Sequence, residues 1–302
     1  MIVNASTLAA TAQTYRVLWL QAFDAYTPYW QNVAQLVEAN ALSIDHRGMG
    51  RPPSVKEWTD EKELEGLIGA SYLLSMKEWA SGIEVWRPHI ETDQLGLYNA
   101  SIKDLGMRAK QHPDKLVSAV RVAGTVGKGY DDKAFYATNH VFGESGVYSN
   151  KLAGSGVTLA QVTTDFNAAR AAMRKFKDDK GEPLNDDDPK LAVECGPDLE
   201  AVFKILLNAE MIPTSTGPQS NTLLNAAQLH VNNRLTGNKW YLDEIGSARK
   251  PFLYQVRKQA QFVDLIAPTS EAVFSKQKFA FSMEASYNVG YALPQKSILI
   301  DN

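Results

Sequence analysis

The most regular pattern in the chain is that of a long amphipathic helix. Between Leu95 and Ala123 apolar residues recur every three or four positions, which places them on one helix face: Leu95, Tyr98, Ile102, Leu105, Ala109, Leu116 and Val120. Pro113 lies inside this stretch and lacks a backbone donor, so we expect it to kink the helix or split it in two. Gly124 is expected to end the helix.

A period of two dominates the end of the chain. From Lys278 to Leu293 apolar and polar positions alternate, with one face formed by Phe279, Phe281, Met283, Ala285, Tyr287, Val289 and Tyr291. This alternation predicts a long, half-buried strand that Pro294 closes. If the strand packs on the long helix, the two elements bracket the middle of the chain as an inserted unit in an α+β fold.

The first forty residues are rich in aromatic side chains and are predicted to be mostly helical from Asn4 to Asn40. Tyr15, Trp19 and Phe23 recur every four residues and therefore lie on one helix face, and Pro28 interrupts the helix. This face packs either on the core of its own chain or, as an arm, on a neighbouring subunit. The pattern favours neither interpretation.

A hairpin is predicted before the long helix. Two strands, Tyr72 to Trp79 and Ile83 to Ile90, flank a Ser81-Gly82 turn. Charged residues alternate with the apolar ones, so this hairpin has little core of its own. We expect it to lean on another surface, for which a neighbouring chain is one candidate.

The middle of the chain mixes helices and short strands. Helices are predicted from Leu159 to Lys177, capped by Thr158, and from Pro197 to Asn208. Met211 to Gln219 is predicted to be a loop. Four strands are predicted, at Leu191–Glu194, Gln228–Asn232, Lys239–Leu242 and Phe252–Asp264.

Composition narrows the class of protein. The 302 residues include 31 basic and 34 acidic side chains, so the formal net charge is -3. A protein that grips nucleic acid usually has a clear basic excess, so we expect only weak contact with DNA. Cys195 is the single cysteine, which suits a reducing cytoplasm. The sequence shows no signal-peptide pattern and no run of the ~20 apolar residues that a membrane helix needs, so we expect no membrane partner.

The sequence gives little indication of a catalytic or metal-binding site. No two histidines share metal-ligand spacing, and each is interpreted as a loop or surface residue: His46, His89, His112, His140 and His230. The Gly124–Gly129 stretch lacks the spacing of a phosphate loop. Two acidic clusters lack the pattern of a calcium loop and are interpreted as solvated turns: Asp178–Asp179 and Asp186–Asp188. We therefore predict no catalytic, cofactor-binding or metal-binding residue, and no enzyme.

Short segments spread in order along nearly the whole chain carry a family resemblance. They are Ile2–Leu8, Lys56–Trp58, Ile83–Arg87, Asp93–Tyr98, His112–Val117, Tyr130–Asp132, Phe135–Tyr136, His140, Trp240–Leu242, Pro251, Gln255 and Arg257. In this order they resemble the Mu-like phage major head subunit family, whose members look like HK97-fold capsid proteins. Asp132 stands where that family usually has glycine, and Ile44 to Pro53 matches it poorly.

The resemblance implies an HK97-like capsid fold. In this scheme residues 1–55 form an N-terminal arm, 56–94 an extended E-loop, 95–140 a peripheral domain with a spine helix, 141–264 an axial domain, and 265–302 the return to the peripheral domain. Large aromatic residues of the arm and hairpin are predicted to be intersubunit contacts, with packing inside their own subunit as the alternative: Trp19, Phe23, Trp30, Trp79 and Trp86.

The resemblance also implies a function. The subunit is expected to assemble into hexamers and pentamers of the icosahedral head of a tailed bacteriophage, around double-stranded DNA. Its expected partners are the portal, scaffold or protease and decoration proteins of the head, and its expected location is the virion capsid, after assembly in the host cytoplasm. Two alternatives stay open: another HK97-type shell, such as an encapsulin or gene-transfer particle, and a cytoplasmic enzyme whose site the sequence does not reveal.

Overall fold

The computed structural model describes residues 5–46, 71–92, 95–185, 188–214, 217–267, 270, 273 and 276–302. Its helices are α1 (Ala5–Asp24), α2 (Trp30–Val33), α3 (Arg87–Glu91), α4 (Asn99–Ala123), α5 (Leu159–Lys175) and α6 (Glu200–Asn208). Its strands are β1 (Ala34–Glu38), β2 (Ser43–Asp45), β3 (Leu73–Ser75), β4 (Lys77–Trp86), β5 (Lys151–Ala153), β6 (Leu191–Cys195), β7 (Met211–Thr214), β8 (Gly217–Ser220), β9 (Gln228–Val231), β10 (Trp240–Glu244), β11 (Phe252–Leu265), β12 (Lys278–Tyr291) and β13 (Ser297–Asp301).

A four-stranded sheet together with α1 and α4 forms what we call the first module. Its strand order is β1-β11-β12-β4, with β1 parallel to β11 and the other pairs antiparallel. Helix α4 packs on β12, and α1 packs on α4. The alternating residues Phe279, Phe281 and Met283 of β12 are buried in one cluster with Ile102 and Leu105 of α4. The predicted packing of the terminal strand on the long helix is therefore confirmed.

A five-stranded sheet flanked by α5 and α6 forms the second module. Its strand order is β5-β13-β10-β6-β9. Its core joins both helices to the sheet through large apolar side chains, among them Phe166, Phe203, Trp240 and Ile300. The second module therefore has its own core, and all its elements except β13 lie in the sequence between the long helix and the long strand.

The helices predicted at Leu95–Ala123 and Leu159–Lys177 are confirmed as α4 and α5, apart from their ends. A short 3-10 turn at Leu95–Tyr98 leads into α4, and Pro113 lies inside α4 without ending it. A proline inside a helix costs about 3 kcal/mol, and the buried helix face on both sides of Pro113 offsets this cost. Helix α5 begins at a capping box in which Thr158 and Gln161 bond reciprocally.

The predicted turn at Ser81-Gly82 is wrong, because β4 is one continuous strand. All ten residues of β4 pair with β12, and Gly82 lies opposite Ser282. A Cβ atom at Gly82 would lie 2.8 Å from the Ser282 Cβ and 2.9 Å from the carbonyl oxygen of Phe281. The glycine thus permits a close approach of two strands. Strands β2 and β3 pair as a hairpin stem instead. Residues 56–70 of the predicted E-loop lie outside the described residues.

Other differences come from pairing between distant segments. Residues 34–38, predicted to be helical, form β1 beside β11, and the predicted loop at 211–219 contains the β7–β8 pair. Strand β11, which the boundary at 264 assigned to the axial domain, pairs with β12 in the first module. Strand β13, assigned to the return segment, lies between β5 and β10 in the second module. Both boundaries are therefore wrong for these strands.

Candidate assembly surfaces and the junction behind them

A buried arginine joins the two modules. Arg121 of α4 is 0% exposed and donates two hydrogen bonds to Asp243 of β10, at 3.0 and 2.7 Å. Its Nη2 also lies 3.2 Å from Oε2 of Glu194 on β6. The guanidinium stands 4.8 Å from the ring centre of Tyr241 and 4.9 Å from that of Phe252. The long helix is thereby fixed to the sheet of the second module and to β11 of its own.

The charges at this junction depend on each other. Burial alone would lower the pKa of Arg121, but Asp243 and Glu194 raise it well above its usual value. Burial raises the pKa of Glu194, although Arg121 opposes this shift. The Asn232 amide donates to Oε1 of Glu194 at 2.6 Å and to the Ser118 hydroxyl at 2.7 Å. Removing the arginine would leave two buried carboxylates without a cation.

The segment after α1 is attached beside this junction. The Asp114 carboxylate of α4 accepts hydrogen bonds from the Tyr26 hydroxyl at 2.8 Å and from the backbone N–H groups of Trp30 and Tyr29 at 2.7 and 3.3 Å. The Tyr29 ring stacks on His230 of β9, with centroids 3.5 Å apart. Burial lowers the pKa of His230 to about 4, which keeps the imidazole neutral near pH 7. One carboxylate and one ring stack thus tie this segment to both modules.

Sequence reasoning missed the residues of this junction. The signal was present, because every residue of both short strands is buried: Glu194 is the one charged residue of β6, and Asp243 stands beside Glu244 in β10. A charged residue in such a strand is expected to have a buried partner. The partner, Arg121, lies 73 positions from Glu194 and 122 from Asp243 along the chain (194 − 121 and 243 − 121), so local pattern did not identify it.

His140 lies between α4 and β5 as a loop residue, but it is buried and not at the surface. His140 is 0% exposed, with Nδ1 2.6 Å from the Asp131 carboxylate and Nε2 3.2 Å from the carbonyl oxygen of Phe135. Burial would raise the pKa of Asp131, but the bond to His140 brings it below its usual value. The pair holds the loop between α4 and β5.

Three of the five predicted contact residues lie in or just after α1. Trp19 is 2% exposed and stacks on Phe23 at 4.8 Å, so Trp19 fills the core of its own subunit and has no free surface for a neighbour. The prediction for Trp19 is corrected accordingly. Phe23 is half-buried beneath the Lys110 ammonium, 4.3 Å from its ring centre. Trp30 is half-buried against Tyr254 at 4.5 Å.

The other two predicted contact residues lie on β4 and differ in exposure. Trp79 is half-buried beside His112, and its indole N–H donates to the carbonyl oxygen of Tyr287 at 2.8 Å. Trp86 ends β4 and is 50% exposed, and its ring makes an edge contact with His89 at 5.6 Å. An intersubunit role stays a prediction, and Trp86 has the most free surface of the five for such a role.

The aspartates and the cysteine considered as candidate functional residues are buried in the fold. Asp178 and Asp179 are buried, which corrects their interpretation as solvated residues, and Asp178 accepts the N–H groups of Lys180 and Glu182. Burial raises the pKa of the Cys195 thiol to about 12, so it is a poor nucleophile near neutral pH. Within the described ranges no three His, Cys, Asp or Glu side chains group as metal ligands. Asp186 and Asp187 lie outside those ranges. The described helices include none with the length and apolar character of a membrane span.

Comparison with known proteins decides the family. The model of the Mu-like prophage major head subunit gpT family matches residues 8–165 and 230–300, more than half of the chain. The chain belongs to this family. Among curated proteins, the Mu-like prophage FluMu major head subunit of Haemophilus influenzae is 24% identical to this chain over 266 residues. The match covers 88% of this chain and 64% of that relative, so the chain spans less than two thirds of the relative's length.

Solved structures agree with this family in fold. A procapsid subunit of bacteriophage JBD30 is similar with a TM-score of 0.63 and 19% identity, over 99% of this chain and 76% of that one. The virus-like particle subunit of Pyrococcus furiosus is similar with a TM-score of 0.56 and 9% identity, over 96% of this chain and 98% of that one. The chain therefore has the HK97-like capsid fold, and its family is one of structural head proteins and not of enzymes.

Proposed function

We propose that this protein is the major capsid subunit of a tailed-phage head. In this proposal copies of the chain assemble into hexamers and pentamers of an icosahedral shell around double-stranded DNA. The observation that carries the proposal is the match of the head-subunit family over both the long helix and the terminal strand. The proposed partners are other copies of the chain and the portal, scaffold or protease and decoration proteins of the head, with weak contact to DNA.

Two features of the subunit support this proposal, the buried ion pair between its modules and an exposed tryptophan. A shell subunit transmits load between its contacts, and a rigid body does so without internal rearrangement. Here Arg121 and Asp243 join the modules through a fully buried ion pair, while the exposed Trp86 offers an apolar group on the outer end of β4. Tryptophan is enriched among the residues that contribute most of the binding energy in protein interfaces.

Electron microscopy of the purified protein tests the proposal. We expect closed shells of uniform size, formed by the chain alone or with the scaffold of its own phage, and native mass measurement should give capsomer-sized species. A protein that stays monomeric in both conditions would contradict the proposal.

A second candidate is an HK97-type shell that does not serve as a phage head. The structural likeness to the Pyrococcus furiosus virus-like particle over nearly all of both chains favours it. The two candidates differ in cargo. Particles purified from the natural source and treated with nuclease should retain double-stranded DNA if they are phage heads, whereas a storage shell should contain no protected genome.

A further inference from the structure

A buried lysine leads into the last strand of the second module. Lys296 ends the 3-10 turn Pro294–Lys296 before β13 and is 4% exposed. Its Nζ lies 2.7 Å from Oδ1 of Asn185 and 3.0 Å from Oε2 of Glu244, and both of these side chains are also buried. An amine, a carboxamide and a carboxylate therefore meet in the interior, where little solvent reaches them.

The carboxamide of Asn185 is held with its carbonyl side toward the amine. Its Nδ2 donates to the carbonyl oxygen of Met173 at 2.6 Å, and the Lys296 ammonium, which has only donors, faces its Oδ1. Because Oδ1 is bonded to Cγ, rotation about the last bonds of the lysine side chain brings Nζ from the oxygen toward that carbon. Reacting atoms about 3–3.5 Å apart are close enough for attack.

The carboxylate of Glu244 is fixed with one oxygen toward the same amine. Its Oε1 accepts the backbone N–H groups of Gly246 and Ser247 at 2.7 and 2.9 Å, and its Oε2 faces Lys296. Burial would raise the pKa of Glu244, but its hydrogen bonds with Ser247 and Lys296 bring it below its usual value. Glu244 is therefore ionised near pH 7 and touches the proton that the lysine must lose to become a nucleophile.

A second lysine interacts with the same carboxylate. The Nζ of Lys250 donates to the carbonyl oxygen of Ile245, beside Glu244 in the sequence. Burial lowers the pKa of Lys250, and Glu244 opposes this shift. If Lys296 loses its charge, Glu244 therefore keeps a cation nearby, whereas a buried carboxylate without one would be strongly destabilising. An uncharged Lys296 is thus compatible with the surrounding fold.

We propose that Lys296 and Asn185 of one chain become joined by an isopeptide bond. Glu244 takes a proton from the lysine ammonium, and the free Nζ attacks Cγ of Asn185. The bond between Nζ and Cγ forms, and the bond between Cγ and Nδ2 breaks. Glu244 passes the two protons that Nζ loses to the departing nitrogen, which leaves as an ammonium ion. The carboxylate is restored, and the reaction needs no oxidant and no cofactor.

Such a bond would tie the segment after α5 to the start of β13. The two residues are 111 positions apart in the sequence, so the bond would close a long loop that includes β6, β10 and the long strand β12. A crosslink restricts the unfolded chain, and the restriction grows with the length of the loop, as it does for a disulfide. Because the bond lies within one chain, its formation does not depend on the assembly of shells.

Mass spectrometry of the intact wild-type chain tests the proposal. Compared with a Lys296→Arg protein, and after correction for that substitution, the wild type should be lighter by one ammonia molecule. Protease digestion of the wild type should give a branched peptide that contains residues 185 and 296. Lys250→Arg is the matched control, because it alters the other lysine near Glu244 and should retain both the mass difference and the branched peptide.

A second variant tests the role of the carboxylate. In Glu244→Gln the bond, followed by mass in freshly folded subunits, should form at least about a hundredfold more slowly, because the group that accepts the proton is lost. Formation at the wild-type rate would overturn this role. A wild-type chain of full mass, in fresh and in aged preparations alike, would overturn the bond itself, whether or not the variants fold. Loss of ammonia without the branched peptide would also overturn it, since an asparagine that cyclises onto its own backbone loses ammonia too.

Discussion

The guanidinium of Arg121 and the carboxylate of Asp243 form a parallel pair of hydrogen bonds, 3.0 and 2.7 Å long, across the boundary of the two modules. Both side chains are 0% exposed. Such a two-bond arrangement fixes orientation as well as distance. The long helix and the second module therefore have one preferred relative position.

Replacement of the arginine should destabilise the subunit strongly. Arg121→Met leaves Asp243 and Glu194 buried without their cation, and breaking a buried ion pair by removing one partner costs about 3–5 kcal/mol. We expect a loss of this size in the free energy of unfolding, measured by urea denaturation of unassembled subunits at pH 7. The control is Arg108→Met, which removes an exposed pair with Asp104 and should cost less than about 1 kcal/mol. Equal midpoints for the two variants would contradict the role of the junction.

A methyl group at position 82 should strain the first module. Gly82→Ala places a Cβ 2.8 Å from the Ser282 Cβ and 2.9 Å from the Phe281 carbonyl oxygen, so β4 and β12 must separate. Overpacking of this kind costs about 1–3 kcal/mol. Gly96→Ala is the matched control, since a Cβ at Gly96 has no heavy atom within 4 Å among the described residues. A Gly82→Ala protein as stable as the Gly96→Ala protein would argue for a loose turn at this position.

Local periodicity predicted the elements that can be recognised from their own sequence, without knowledge of the segments they pack against. Helix α4 and strand β12 each show one period over a long stretch, and both are present where the sequence places them. Gly82 misled because glycine favours turns and also close strand contacts, and only the opposite residue, Ser282, distinguishes the two. Strand β13 follows Pro294 at the end of the chain and pairs with segments about 60 and 150 residues earlier, which no local pattern encodes.

The same limit applies to the candidate site, where the sequence predicted helix faces but not the residues that pack against them. A four-residue spacing placed Tyr15, Trp19 and Phe23 on one face correctly, but spacing does not tell which body covers that face. Burial answers the question for Trp19. The Arg121 junction was hidden because its members lie on three elements that are far apart in the sequence. Pairing of such residues follows from the fold and not from the sequence nearby.

Stability should fall as the pH drops through the range in which His230 is protonated only in the unfolded chain. Burial lowers the pKa of His230 from 6.5 to about 4. Between these values the unfolded state binds more protons, so the stability contribution is complete above pH 6.5 and is lost toward pH 4. Because solvent still reaches part of the half-buried ring and weakens the effect, we expect a loss of about 1–2 kcal/mol.

A histidine variant isolates this effect from other titrating groups. His230→Gln should lose less stability than the wild type between pH 7 and pH 4.5 in urea unfolding. The raised pKa values of Glu194 and Asp114 act in the opposite sense, since protonation of those carboxyls favours the folded state. Both proteins share that contribution, so it cancels in the difference. Equal pH dependence of the wild-type and His230→Gln proteins would contradict the assignment.

Trp86 and Trp19 should separate assembly from folding. Trp86 is 50% exposed, so Trp86→Ala removes little packing within the subunit and should change the free energy of unfolding by less than about 1 kcal/mol. In a shell the exposed half of the indole is free to be covered by a neighbour, and truncation of such an anchor costs about 2 kcal/mol or more per contact. Trp19→Ala instead opens a cavity in the core and should cost about 3–5 kcal/mol of subunit stability.

Two measurements on the same preparations decide the case for Trp86. Urea unfolding of unassembled subunits should give a wild-type midpoint for Trp86→Ala and a clearly lower one for Trp19→Ala. Light scattering and electron microscopy should then show few or short-lived shells for Trp86→Ala, because the small loss at each contact is repeated at every equivalent position of a symmetric assembly. If Trp86→Ala subunits unfold early and whatever remains folded assembles normally, Trp86 belongs to the core of its own subunit and is not an anchor between subunits.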